Sequence, residues 1–422
     1  MSCPTSLVII GLGYVGLPLA REATLRGIPV TGLDVNRVLV EHLNTGTSHV
    51  DDVTDDDVAA MIARGFVATT DSRVLEAADV AVICVPTPLA VDGGPDLKAV
   101  TSAVAAIAAA LHPGMLVVLE STTYPGTTEE VLRPMLEATS GLTAGRDFSL
   151  AFSPERVDPG NAHFGIGNTP KVVGGVTDRC TQQAIAFYER FIDTVVAARG
   201  SREAEMAKLV ENTYRHINIA LVNEMARFCH DLDIDLWDVI RCASTKPFGF
   251  QAFHPGPGVG GHCIPIDPNY LSFQVRARLG YPFRFVELAE EINATMPSYV
   301  AQRVKELLKD ADLSVERAGV LLLGVTYKPN IADERESPAV PLATELEAYG
   351  ATVDFHDPYV PRWEHSGHCT TRVTDLDAAI RAADITVLLQ DHDVYDIQHI
   401  SSAARLLLDT RGVASGSGVT RL

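Results

Sequence analysis

Leu7-Val8-Ile9-Ile10-Gly11-Leu12-Gly13-Tyr14-Val15-Gly16-Leu17-Pro18-Leu19-Ala20 stands near the start of the chain. The first four residues are an apolar run of strand length, and a helical pattern begins after the third glycine. In G-x-G-x-x-G the first glycine allows a tight turn and the second lets backbone approach a pyrophosphate. The third permits close packing of helix on strand. The helix start then offers unpaired N–H groups and the positive end of its dipole to phosphate. Asp34 closes the next apolar run, Val30–Leu33, where a carboxylate accepts the ribose hydroxyls and repels a 2′-phosphate. NAD is therefore expected ahead of NADP, although Arg37 nearby is a residue type that accommodates such a phosphate.

Moving outward, Val80–Val85, Leu116–Leu119 and Ser149–Phe152 are further apolar runs with helical stretches between them, the pattern of a parallel sheet with crossover helices. From near Ser201 the texture changes. Leu209, Val210, Tyr214, Ile217, Leu221, Met225 and Phe228 recur at helical spacing over roughly seven turns without a proline. A second helical pattern runs from about Phe283 to Asp310, with a kink expected at Pro297. Strand candidates return at Val320–Leu323, Thr352–Phe355, Ile385–Leu389 and Leu406–Leu408. The fold expected is α/β: two Rossmann-like doubly wound lobes joined by a central helical domain with a long helix. Such a helix buries an apolar stripe against a second copy, so a homodimer is expected.

The 422 residues are 46% hydrophobic and 21% charged, which suits a well-cored globular chain of more than one domain. A net charge of −20 speaks against nucleic-acid binding, which needs basic surface. Seven scattered cysteines without a C-x-x-C pair argue against a disulfide framework and a zinc ribbon, and for a reducing, cytoplasmic setting. No stretch reaches membrane-spanning length without Pro, Gly or charge, so no membrane association is expected. The apolar run Leu7–Ala20 lacks the basic flank of a signal peptide.

The chemistry is carried by Gly258-Val-Gly260-Gly261-His262-Cys263-Ile264-Pro265-Ile266-Asp267-Pro268, where glycines expose a single thiol and leave room for a ligand to approach backbone. This segment and the N-terminal fingerprint resemble the UDP-glucose/GDP-mannose dehydrogenase family. So do Glu120-Ser-Thr122-Thr-Tyr-Pro-Gly126, Ser153-Pro-Glu155-Arg-Val-Asp-Pro-Gly-Asn161, Glu205-Met-Ala-Lys208 with Asn212, and Gly324-Val-Thr-Tyr-Lys328-Pro329. The resemblance spans nearly the whole chain. It implies an NAD-binding domain over residues 1–198, a central domain with the cysteine loop and dimer contact over 199–312, and a UDP-sugar-binding domain over 313–422.

It further implies a four-electron oxidation with two NAD per turnover. Cys263 adds to an intermediate aldehyde, a second hydride transfer gives a thioester, and water releases the acid; a thiol suits this because the aldehyde is never set free. Lys208 and Asn212, four apart on the long helix, would share one face, the lysine stabilising oxyanion charge and the asparagine holding a water or hydroxyl. Thr122 and Glu155 would place and activate the hydrolytic water, and Asp267 would move a proton near Cys263. Cofactor contacts are implied for Gly11, Gly13, Tyr14, Val15, Gly16, Asp34, Arg37, Pro86, Thr87, Thr122 and Arg335. Substrate contacts are implied for Glu155, Arg156, Val157, Lys208, Asn212, Phe253, Gly260 and Lys328.

Within the family, Lys246-Pro-Phe-Gly-Phe250, Pro255-Gly-Pro-Gly258 and Ile264-Pro-Ile-Asp-Pro268 look most like enzymes of UDP-N-acetylglucosamine, with UDP-N-acetylmannosamine and then UDP-glucose behind. A two-electron dehydrogenase would leave Cys263 and the last domain idle. A non-catalytic sugar-nucleotide binder would have no use for Cys263, Lys208, Asn212, Glu155 and Asp267 together. No metal is expected: His254 and His262 lack a third ligand at useful spacing, and Asp51, Asp52, Asp55, Asp56 and Asp57 read as a solvated loop and helix start.

Overall fold

Branched, uncharged runs buried on both faces make the central strands of the N-terminal sheet. Leu7–Ile10, Val80–Ile83 and Leu116–Leu119 are buried at every position, as strands covered by helices on both sides must be. The structure, a computed structural model, describes residues 6–50, 52–90, 94–158, 161, 163–261 and 264–422. Cys263, His262 and Asp51 lie outside the described residues. The chain divides into two compact units: residues up to Glu211 with Asn269–Gly280, and Asn212–Pro268 with Tyr281–Leu422.

The first unit holds β1 (Leu7–Ile10), β2 (Val30–Leu33), β3 (Val67–Thr69), β4 (Val80–Ile83), β5 (Leu116–Leu119), β6 (Ser149–Phe152), β7 (Lys171–Gly175) and β8 (Val195–Ala197). They form one sheet in the order β3-β2-β1-β4-β5-β6-β7-β8. The first six are parallel in the doubly wound order, and the chain reverses its direction of travel between β1 and β4. The carboxyl ends of those two strands therefore flank the crevice where such sheets take ligands. Beyond β6 comes a strand that the sequence pattern does not show, β7, which runs antiparallel to β6. Lys171-Val-Val-Gly-Gly175 hides as a strand since its two glycines dilute the apolar signal. A Cβ on Gly174 would lie 2.0 Å from the Gly200 carbonyl oxygen, so only glycine fits there.

The second unit holds β9 (Gly319–Leu323), β10 (Thr352–His356), β11 (Arg362–His365), β12 (His368–Thr371), β13 (Ile385–Leu388), β14 (Leu407–Asp409) and β15 (Val419–Arg421). The parallel order β10-β9-β13-β14-β15 has its own switch point between β9 and β13, while β11 and β12 form a separate antiparallel hairpin. The two Rossmann-like lobes are thus present.

The long helix covers Ser201–Asp231, 31 residues. The expected kink at Pro297 is replaced by a break one residue before Met296: helices Arg284–Ala294 and Met296–Asp310 meet at Thr295. Pro297 sits in the first turn of the second helix, where its missing N–H costs nothing. The acidic run starts a helix, Asp55–Ala63, through a reciprocal capping box between Thr54 and Asp57. Among the described residues no helix is long and apolar enough to cross a membrane.

Candidate active site

The glycine turn has the shape its spacing demands. Gly11 adopts φ +90°, and a Cβ there would lie 2.7 Å from the Cys84 carbonyl oxygen at the end of β4. A Cβ on Gly16 would lie 1.9 Å from the Gly11 carbonyl oxygen, so helix Gly16–Leu25 starts directly against the turn. Gly13 meets no atom within 4 Å of an added Cβ, leaving its backbone open to a pyrophosphate. Asp34 accepts from the Leu12 N–H at 2.9 Å and the Asn36 N–H at 2.8 Å, which aims the carboxylate at the end of β2. A bare turn, a helix start and an oriented carboxylate fit a dinucleotide with an unphosphorylated ribose. Tyr14 and Arg37 are exposed and Val15 is half-buried beside them.

After β4 and β5 come Pro86, Thr87 and Thr122. The Thr87 hydroxyl donates to the Thr122 carbonyl at 2.8 Å, tying the two loops together. Glu155, after β6, accepts the N–H groups of Arg156 at 2.7 Å and Val157 at 2.5 Å through one oxygen. Arg156 pairs with Glu211 at 2.7 Å and donates to the Pro170 carbonyl. Lys208 is nearly buried on the long helix.

Glu205, one turn before Lys208, has a task that sequence motifs do not reveal. Its carboxylate accepts from the Gly126 N–H at 2.5 Å, the Thr128 N–H at 2.9 Å and the Thr128 hydroxyl at 2.7 Å. It thereby clamps the loop that follows Thr122 to the helix that carries Lys208. Burial pushes this carboxyl up to about 7, against the pull of those donors. A second buried carboxyl is Glu120, just after β5: it receives the Tyr188 hydroxyl and faces Lys171 Nζ at 3.1 Å, all three buried. Burial raises the Glu120 carboxyl, and Lys171 opposes that rise.

In the second unit, Asn212 donates to Asp267 at 2.5 Å in a buried pair. Asp267 opens helix Asp267–Leu279 four positions after Cys263. The segment leading into the cysteine loop is held by two asparagines that pattern reading passed over. Asn223 accepts the Gly256 N–H at 2.9 Å and donates to Asn293 at 3.0 Å. Gly261 donates to the Arg335 carbonyl at 3.1 Å, and a Cβ on Gly260 would lie 2.7 Å from both Tyr327 Cβ and the Glu336 carbonyl oxygen. These glycines thus also make room for the protein's own Tyr327 loop. Phe253 packs edge-on against Tyr214.

Lys328 follows β9 in a loop stitched to a buried Asp357–His392 pair. Asp357 accepts from the Val325 N–H at 2.8 Å and from His392 Nε2 at 3.0 Å, and Asn330 N–H donates to His392 Nδ1 at 2.9 Å. The backbone donor makes Nδ1 the acceptor, so the ring proton sits on Nε2 facing the carboxylate. Burial works against the Asp357 charge, but the His392 bond and backbone donors hold its carboxyl below the ordinary range. Arg335 is exposed and binds Asp333 through two nitrogens at 2.8 and 2.5 Å.

The sequence matches the UDP-glucose/GDP-mannose dehydrogenase family in three successive segments: its NAD binding domain over residues 5–192, its central domain over 202–295 and its UDP binding domain over 321–416. A UDP-N-acetyl-D-mannosamine dehydrogenase of Salmonella typhi is 36% identical, with 97% of this chain and 99% of that protein aligned. The solved UDP-D-ManNAc dehydrogenase of Pyrococcus horikoshii is 30% identical with a TM-score of 0.88, covering 99% of this chain and 98% of that one. The UDP-N-acetyl-mannosamine dehydrogenase of Staphylococcus aureus gives 32% and 0.84, covering 99% and 98%. With the nucleotide turn, both sheets and every segment of the family in order, the chain belongs to the UDP-glucose/GDP-mannose dehydrogenase family, NAD-dependent oxidoreductases of nucleotide sugars.

Proposed function

We propose that this chain oxidises the C6 hydroxymethyl group of a UDP-N-acetylhexosamine to the carboxylate, in two hydride transfers to two molecules of NAD. The observation that carries the proposal is the buried Asn212–Asp267 pair beside the cysteine segment, in a chain of this family. NAD supplies the hydride acceptor in each oxidation. Asp34 orients the ribose end of the cofactor, Tyr14, Val15, Arg37, Pro86 and Thr87 contact it, and the family resemblance gives Arg335 a cofactor contact as well.

The alcohol first loses a hydride and a proton to become an aldehyde. The Cys263 thiolate adds to the carbonyl carbon, and the resulting thiohemiacetal loses the second hydride and its hydroxyl proton to give a thioester. Water then cleaves the C–S bond and returns the thiol. Asp267, oriented by Asn212, moves the proton at the sulfur. Lys208 offers its ammonium to the oxyanion, and Thr122 and Glu155 hold the water. Arg156, Val157, Phe253 and Gly260 contact the sugar, and Lys328 contacts the diphosphate or the sugar. The clamp by Glu205 supports this reading, since it joins the loop after Thr122 to the helix of Lys208.

The segments Lys246–Phe250, Pro255–Gly258 and Ile264–Pro268 resemble those of UDP-N-acetylglucosamine enzymes, and on that resemblance the N-acetylglucosamine configuration is the first reading. N-acetylmannosamine is the second reading, favoured by what the aligned relatives are named for. The test is NADH formation with UDP-N-acetylglucosamine, UDP-N-acetylmannosamine and UDP-glucose in turn, with product mass recorded. Two NADH and a uronic acid from one acetamido sugar are expected, and no acid from Cys263→Ala. One NADH per sugar, or acid from that variant, overturns the covalent route.

A further inference from the structure

The β11–β12 hairpin turns through His365-Ser366-Gly367-His368, with φ +50° at Ser366 and +79° at Gly367. Positive φ at both central residues makes His365 and His368 the closing pair of a two-residue turn. Glu347, in the last turn of helix Ala339–Ala348, faces this pair. Its Oε1 lies 3.5 Å from His365 Nδ1 and 3.4 Å from His368 Nε2, and all three donor atoms fall within 4.8 Å of one another.

His365 is the decisive residue. Its side chain is 1% exposed, packed on Trp363 with ring centroids 4.3 Å apart. Nε2 bonds with the Thr370 hydroxyl at 3.1 Å, while Nδ1 is buried, points toward the carboxylate and makes no hydrogen bond. The Glu347 carboxylate calls for a positive centre at Nδ1, a proton or a metal ion, because the Thr370 hydroxyl can serve Nε2 in either tautomer. Four-coordinate zinc with bonds of about 2.0–2.1 Å spaces neighbouring ligand atoms about 3.3 Å apart. The two observed separations, 3.4 and 3.5 Å, have that spacing.

We propose that Glu347, His365 and His368 bind a divalent transition-metal ion of the zinc class, through Oε1, Nδ1 and Nε2. Thr370 holds the outer nitrogen of His365, as an outer partner holds a metal-bound histidine. His368 is half-exposed, which gives the ion an entry path and leaves a fourth position for water. The ion fastens the hairpin to helix Ala339–Ala348 within the UDP binding segment.

The test uses untagged full-length protein, stripped with chelator and dialysed against Zn²⁺ or Co²⁺, with metal content and Co²⁺ visible absorption measured. Wild type should gain one equivalent with tetrahedral absorption, and Cys263→Ser should keep it. His368→Ala and Glu347→Ala should each weaken binding by more than about 100-fold, since disturbing even an outer partner costs 10–100-fold. His368 is exposed enough that its variant folds irrespective of the metal. No uptake by wild type, or an equivalent retained in both alanine variants, overturns the assignment.

Discussion

Glu205 shows how one buried carboxylate shapes both stability and site. Its folded pKa, about 7, lies above the value near 4.3 of an unfolded glutamate, so the folded chain holds the proton more tightly. That stabilisation is complete below about pH 4 and is lost as pH rises through about 7. The contribution is about 4 kcal/mol across the window. Urea unfolding at about pH 5 and about pH 8 should show this fall in wild type and not in Glu205→Gln; parallel slopes in the two proteins would remove Glu205 as its source. A second buried charge behaves differently. Lys171→Met strands Glu120 without its cation and should cost about 3–5 kcal/mol, whereas adding Glu120→Gln should recover much of that loss. Additive losses in the double variant would refute the pairing.

The β1–turn–helix unit is an element whose parts touch too closely for compromise. Gly16→Ala places a methyl carbon 1.9 Å from the Gly11 carbonyl oxygen, so the helix must move away from the turn. The expected result is a loss of about 1–3 kcal/mol in stability and NAD affinity weakened at least tenfold, roughly the effect of overpacking at a contact site. Calorimetric NAD binding checks this, and unchanged affinity would separate the turn from the cofactor. The long helix makes a contrasting element, because its apolar repeat is a property of its own sequence.

At the scale of the whole molecule, that helix carries a row of half-exposed apolar side chains. Tyr214, Leu221 and Phe228 recur every seven residues and are each about half-exposed. We propose that a second copy of the chain covers this stripe, giving a homodimer, since a soluble monomer seldom leaves such a row in water. Sedimentation should show a dimer in wild type and a monomer in Leu221→Glu/Phe228→Glu. A monomeric wild type, or a dimeric double variant, would place the stripe elsewhere in the biology of the protein.

Much of this molecule was readable before any coordinates. Gly11, Gly13, Gly16 and Asp34 announce a nucleotide turn because steric needs within a few residues dictate them, and the long helix shows because its apolar positions repeat along the chain. The tertiary structure alone decided what depends on residues far apart in sequence. The antiparallel β7 needs glycine because Gly200 comes close, and the break at Thr295 instead of Pro297 reflects where a missing N–H is tolerated. Glu205 reaches Gly126, Asn212 reaches Asp267, and Glu347 meets a histidine hairpin, each across a chain separation that no local period encodes. Periodicity tells a segment which face to bury. Only the folded chain tells a buried polar atom which partner will satisfy it.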